Sequence, residues 1–202
     1  MKNQLTGTFS ILTISPDSRL MGVAVASGST SVGDRVPHAM PGVGVIATQA
    51  YTNVAYGIRG LELLAKGLSP KVTVDRLLME DPERELRQVA IMDFKRRKAA
   101  FTGVNAPEFR GEIVSEDYVV VGNLLAGKKV VSSMATEFER SSGDLALRMA
   151  KALETGSKSG GDSRGERSAA LIVVSTEKIE VKIRVDMHEK PIEELFRKLK
   201  SQ

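Results

Sequence analysis

The sequence predicts an α/β protein in which two stacked, largely antiparallel sheets lie between layers of helices. Three observations lead there. Short β-forming runs follow one another through tight turns, which makes antiparallel neighbours of them. Several of these runs are apolar at nearly every position, so both faces of their sheets need a cover. Between the strand blocks the apolar period lengthens to that of a helix, in pairs of segments. A second sheet on one face and helices on the other meet these demands together.

Residues 8–14 form the first β-rich run, and Ser15-Pro16-Asp17-Ser18 is a turn. Residues 20–26 and 42–48 are the next two strands. Ile58, Leu61, Leu64 and Ala65 then repeat at helical spacing, with Gly67 just past the end. Ser69-Pro70 opens a second helix, Ser as cap and Pro in the first position, carrying Val74, Leu77 and Leu78. Residues 87–94 and 99–102 are strands joined by the basic turn Lys95-Arg96-Arg97-Lys98, and residues 118–121 form another before Gly122-Asn123. Val130, Val131, Met134 and Phe138 mark one helix; Leu145, Met149 and Leu153 mark the next. A polar, glycine-rich loop spans 157–168 and leads into the apolar strand 169–174. Ile179, Val181, Ile183 and Val185 alternate with charged residues as a half-exposed strand, and Pro191 starts a last helix with Ile192, Leu195, Phe196 and Leu199 on one face. The 202 residues are read as one domain, with residues 1–7 as a short extension ahead of the first strand.

Composition removes several classes of function. With no cysteine, disulfides and thiolate metal sites are excluded. The two histidines, His38 and His188, have no metal-ligand spacing and are read as surface or satisfied polar groups. The net charge of +4 is spread among acids, aromatics make up only 4%, and Trp is absent, so nucleic acid is not an expected partner. No apolar stretch is long enough to span a membrane, and residues 1–7 lack the apolar core of a secretory signal. Cytoplasmic location is the simplest expectation. There is no phosphate-binding Gly-rich loop, nucleophile elbow or dinucleotide fingerprint.

Small polar residues remain, in turns beside buried strands: Gly7-Thr8, Ser27-Gly28-Ser29, Thr48-Gln49, Thr102-Gly103, Gly122-Asn123, and the 160–168 loop with Asp162, Arg164 and Ser168. Singly, each is an ordinary turn. Together they are what lines a pocket at strand ends. One mechanism uses such residues without histidine or metal: an N-terminal threonine attacks a carbonyl with its hydroxyl while its own α-amine takes the proton. Thr8 meets that requirement only if the Gly7–Thr8 bond is cut.

Ordered blocks along nearly the whole chain resemble the domain of unknown function 1028 family. They are Thr8-Phe9-Ser10-Ile11, Gly22-Val23-Ala24-Val25-Ala26-Ser27, Ala47-Thr48-Gln49-Ala50, Gly122-Asn123-Leu124-Leu125-Ala126-Gly127 with Leu in place of the usual Met, and Gly160-Gly161-Asp162, Arg164-Gly165 and Ser168-Ala169-Ala170-Leu171. The resemblance implies a four-layer αββα sandwich like that of the N-terminal-nucleophile (Ntn) hydrolases. By analogy of fold it implies hydrolysis of a small amide or peptide-like substrate without a cofactor or metal, with Thr8 as nucleophile. Asn123 or a neighbouring backbone N–H would hold the oxyanion. Ser27, Thr48 and Gln49 would line the pocket, and Asp162, Arg164 and Ser168 would hold the Thr8 amine or a substrate carboxylate. The alternative for Asp162 and Arg164 is that they pair with each other and pin the loop. The alternative for the whole protein is non-catalytic ligand binding or interaction on the same fold. The resemblance also implies a homo-oligomer. Seven residues precede Thr8 here, whereas typical members begin almost directly at that threonine.

Overall fold

The structure, a computed structural model, describes residues 5–201. Residues 1–4 of the expected extension, and Gln202, lie outside the described residues. The first half of the chain forms β1 (Leu5–Thr6), β2 (Thr8–Ile14), β3 (Met21–Ser27), β4 (Pro37–Met40), β5 (Gly44–Tyr51), α1 (Ala55–Ala65) and α2 (Pro70–Met79). The second half forms β6 (Arg87–Asp93), β7 (Lys98–Thr102), β8 (Gly111–Val114), β9 (Tyr118–Asn123), α3 (Lys129–Arg140), α4 (Leu145–Lys158), β10 (Ser168–Val174), β11 (Ile179–Val185) and α5 (Pro191–Leu199).

The strands make two sheets, ordered β11-β10-β3-β2-β9-β8 and β1-β5-β6-β7, with β4 beside β1 on the same edge of β5. Every described pairing is antiparallel. Because successive strand residues face opposite sides, the apolar strands supply two cores at once. Leu12, Val23, Val25, Val45, Ala47, Met92 and Val121 meet between the sheets. On the outer face of the larger sheet, Phe9, Ile11 and Leu171 pack on Met134, Phe138, Met149, Leu153 and Leu195 of α3, α4 and α5. On the outer face of the smaller sheet, Ile46 and Ile91 pack on Tyr56, Leu61, Leu64 and Leu77 of α1 and α2. The result is the expected αββα sandwich.

The helix signals hold. Ser69 accepts from the Val72 N–H and Pro70 takes the first helical position. Asp144 caps α4 by accepting from the Leu147 N–H at 3.0 Å. Three strands escaped the sequence. β1 has two residues, β4 carries Pro37 and His38, and β8 is half exposed, so none shows an apolar period. In α1 the buried stripe runs through Tyr56, Gly57, Gly60, Leu61 and Leu64, and Ile58 is 54% exposed. Gly57 and Gly60 let the helix lie close to the sheet, where added Cβ atoms would meet the His38 ring and Ile46. α4 runs to Lys158, which shortens the polar loop. α5 packs Ile192 and Leu195 against the outer face of the larger sheet. Among the described residues no helix is long and apolar enough to cross a membrane.

Candidate active site

At one end of the larger sheet, strand register lines up a polar row. Ser168 is the partner of Ser27, Ser27 of Thr8, and Thr8 of Asn123. Their alternating neighbours Ala169, Ala26 and Phe9 belong to the outer core, so the row faces the inter-sheet layer. The smaller sheet answers with a second row, Gln49, Gln88 and Thr102, again register partners. All of these but Thr102 are completely buried, so each polar group needs a partner inside the protein.

The amides supply most of them. Ser10 Oγ donates to Gln49 Oε1 at 2.6 Å, and Gln49 Nε2 donates to Gln88 Oε1 at 2.7 Å and to the Thr8 carbonyl at 3.3 Å. Asn123 Nδ2 donates to the same Gln88 oxygen at 3.1 Å. Gln88 Nε2 donates to Thr102 Oγ1 at 2.9 Å and to the Gly122 carbonyl at 3.0 Å. Gln88 is therefore the hub that ties the backbone around Thr8 to the opposite sheet. Neither Gln88 nor Ser10 is among the turn residues expected to line a pocket, although each is a polar residue inside an apolar strand.

The Thr8 hydroxyl lies 3.3 Å from Ser27 Oγ, and Ser27 Oγ is in short contact with the Gly7 carbonyl oxygen. A carbonyl only accepts, so the single Ser27 proton goes to Gly7. Ser27 Oγ then accepts from Thr8 and from the Ser29 N–H at 3.1 Å. Hydrogen bonds thus run from the hydroxyl of Thr8 to the carbonyl of the residue just before it. Arg164 Nη2 donates to that carbonyl as well, at 3.3 Å.

Asp162 positions this guanidinium. Its carboxylate accepts from Arg164 Nε at 3.0 Å, Arg164 Nη2 at 2.9 Å, the Arg164 N–H at 3.0 Å and the Gly28 N–H at 2.8 Å. The Asp162 hydrogen bonds, outweighing burial, raise the Arg164 pKa, so the group is cationic at any working pH. The two side chains bind each other, and the same Arg164 Nη2 that meets Asp162 also reaches the Gly7 carbonyl. Gly160, Gly161 and Gly165 adopt positive φ (119°, 58° and 77°), which lets the loop fold back on the site. Ala50 and Leu124, at φ 69° and 51°, are non-glycine residues in the left-handed region next to Gln49 and Asn123. Such backbone strain concentrates around functional sites.

Two expected residues stand apart. Thr48 belongs to the opposite face of β5 from Gln49, and its hydroxyl donates to the Asn53 carbonyl at 3.1 Å, under α1. Ser168 ends the polar row but secures the next loop, donating to the Ser29 carbonyl at 2.5 Å and accepting from the Val32 N–H at 3.1 Å. Among the described residues no group of three His, Asp or Glu is placed to hold a metal ion.

The model of a family described as a family of unknown function, DUF1028, matches residues 8–195. A solved structure carrying the same family model, from Silicibacter pomeroyi, is 30% identical, superposes with a TM-score of 0.90, and is covered over 85% of its length by 96% of this chain. Anbu (ancestral beta-subunit) from Yersinia bercovieri gives 12% identity and a TM-score of 0.46, over 96% of this chain and 93% of that one. No curated protein matches the chain.

Proposed function

The chain belongs to the DUF1028 family, and from that premise we propose that it is an Ntn-type amidohydrolase in which Thr8 becomes the nucleophile once the Gly7–Thr8 bond is cut. The observation that carries this reading is the hydrogen-bonded path from Thr8 through Ser27 to the Gly7 carbonyl, with Arg164 on the same oxygen. The first reaction such an arrangement suits is on the chain itself. Thr8 Oγ1 adds to the Gly7 carbonyl carbon while its proton passes through Ser27 to the carbonyl oxygen. The C–N bond then breaks, the Thr8 nitrogen takes up a proton, and Gly7 is left as an ester on Thr8. Water hydrolyses the ester to a Gly7 carboxylate and a Thr8 with a free amine. An unperturbed α-amine has a pKa of about 8, which suits a base near neutrality.

In later turnovers the Thr8 amine takes the hydroxyl proton and delivers it to the leaving amine of a small amide or peptide-like substrate. Ser27 and Arg164 stand ready for the oxyanion; a donor in that place is worth about 3 kcal/mol of barrier. Asn123 acts beside them, through the Gln88 hub that orders the backbone around Thr8. The chemistry needs no cofactor and no metal. Intact-mass measurement of the purified protein tests the reading. The wild type should lose its residues up to Gly7, and Thr8→Ala should keep them and hydrolyse no amide of a substrate panel. Intact wild-type mass, with Thr8→Ala equal to wild type on that panel, sinks it.

A second reading rests on a specific observation as well: Thr8, Ser27 and Asn123 are fully buried in the uncut chain. A protein that never cuts this bond would be a non-catalytic ligand-binding or interaction protein on the same fold, and the same mass measurement separates the two.

A further inference from the structure

We infer that the segment ahead of Thr8 occupies the acyl-side subsite of the site, and that this subsite takes an extended peptide whose last acyl residue is glycine. The inference rests on the hydrolase reading of Thr8 and names its substrate class. Two independent observations carry it.

The first is how the segment is bound. β1 belongs to the opposite sheet from Thr8: Leu5 pairs with Tyr51 and Thr6 with Ala50 on the edge of β5, beyond the stretch 44–47 taken by β4. The chain then crosses at Gly7 to the first residue of β2. Cutting at Gly7 would turn this crossing into a separate peptide held by main-chain pairing to β5, with its terminal carbonyl against Ser27 and Arg164. Recognition through the backbone of a strand edge accepts many side chains along the peptide.

The second is the space at Gly7. A Cβ there would lie 2.6 Å from Asp162 Oδ2, 2.9 Å from Arg164 Nη2 and 2.9 Å from Leu124 Cβ. Neither wall can give way easily. Asp162 is buried and holds its hydrogen bonds to Gly28 and Arg164, and the Cβ of Leu124 moves only with its backbone. The restriction is therefore one of room, imposed by the residues that orient the guanidinium. A substrate in the same subsite presents a glycyl carbonyl. Thr8 Oγ1 adds to it, the amide C–N bond breaks, the amine leaves with the proton taken from the Thr8 hydroxyl, and water releases the glycyl ester as a carboxylate.

The test uses the full chain carrying Gly7→Ala, whose own segment no longer fits. Acetyl-Leu-Thr-Gly and acetyl-Leu-Thr-Ala are titrated against it, and binding is read as protection from amide hydrogen exchange over residues 49–53. The glycine peptide should protect this stretch, and the alanine peptide should bind at least tenfold more weakly. Full-chain Thr6→Pro, which removes a backbone N–H from β1 and leaves Gly7 in place, is the second host should Gly7→Ala not fold. Equal binding of the two peptides, or protection by neither, overturns the subsite. Glycine-selective binding by a protein that hydrolyses no glycyl amide keeps the subsite and removes the hydrolase reading. Amide hydrolysis indifferent to glycine does the reverse.

Discussion

Ser27 is the residue on which the candidate chemistry turns. Its one proton is committed to the Gly7 carbonyl, and its lone pairs accept from Thr8 and Ser29. Ser27→Ala removes the relay and one of two donors on the carbonyl, so cleavage of Gly7–Thr8 should slow by about 100-fold, the usual effect of losing one oxyanion donor. Intact mass followed over time reads this out; an unchanged rate would remove Ser27 from the reaction. Gly28 is constrained like Gly7. A Cβ there would lie 2.7 Å from the Gly165 carbonyl and 2.9 Å from Asp162 Cγ. Gly28→Ala should cost about 2 kcal/mol in a urea melt, as overpacking does. Thr8, Ser27, Gln49 and Asn123 were each legible as polar residues of the strands, and Asp162 and Arg164 as polar residues of the glycine-rich loop before β10. Thr48 was misplaced because neighbours on a strand face opposite sides, and the sequence pattern did not show which of Thr48 and Gln49 faces the other sheet.

At the scale of elements, the junction of α1, α2 and β6 is held by one buried ion pair. Arg87 Nε meets Asp81 Oδ2 at 2.9 Å, with both side chains under 10% exposed. Tyr56 and Asn53 donate to the same carboxylate. Burial pushes the Asp81 carboxyl up, but Arg87, the Glu83 N–H, Tyr56 and Asn53 outweigh it and hold the pKa at about 2, below the ordinary 3.8. A carboxyl lowered on folding stabilises fully above 3.8, and that stability is lost as pH falls through about 2. Its size is about 2 kcal/mol. Urea melts at pH 5 and pH 2.5 should therefore show a loss in wild type that is smaller in Asp81→Asn. At pH 7 the same variant should be less stable by about 3 kcal/mol, because the buried Arg87 loses its buried carboxylate and keeps the half-exposed Glu83 as anionic partner. None of this was legible in Asp81-Pro82, which reads as a turn. The partners come from three separate segments.

At the scale of the molecule, the polar rows join the two sheets at the end where the apolar layer stops. Gln88→Ala would leave Gln49, Asn123 and the Gly122 carbonyl each short of a buried partner. A loss of about 3 kcal/mol in urea unfolding is expected. A loss under about 1 kcal/mol would mean that the amide hub does not couple the sheets. In the basic turn 95–98, two of the four cations are paired within the chain: Arg96 with Asp117 and Arg97 with Asp93. The sequence by itself determined the five helices and the apolar strands, the need for two covered sheets, the Ser69 cap and the residue types at the site, because apolar period, turn chemistry and capping act over a few residues. Only the tertiary structure decided that Ser168, Ser27, Thr8 and Asn123 share one row, that Gln88 faces it, and that Gly7 is walled in by Asp162 and Leu124. Those facts depend on strand register and on the approach of residues more than a hundred positions apart, and no local preference encodes them.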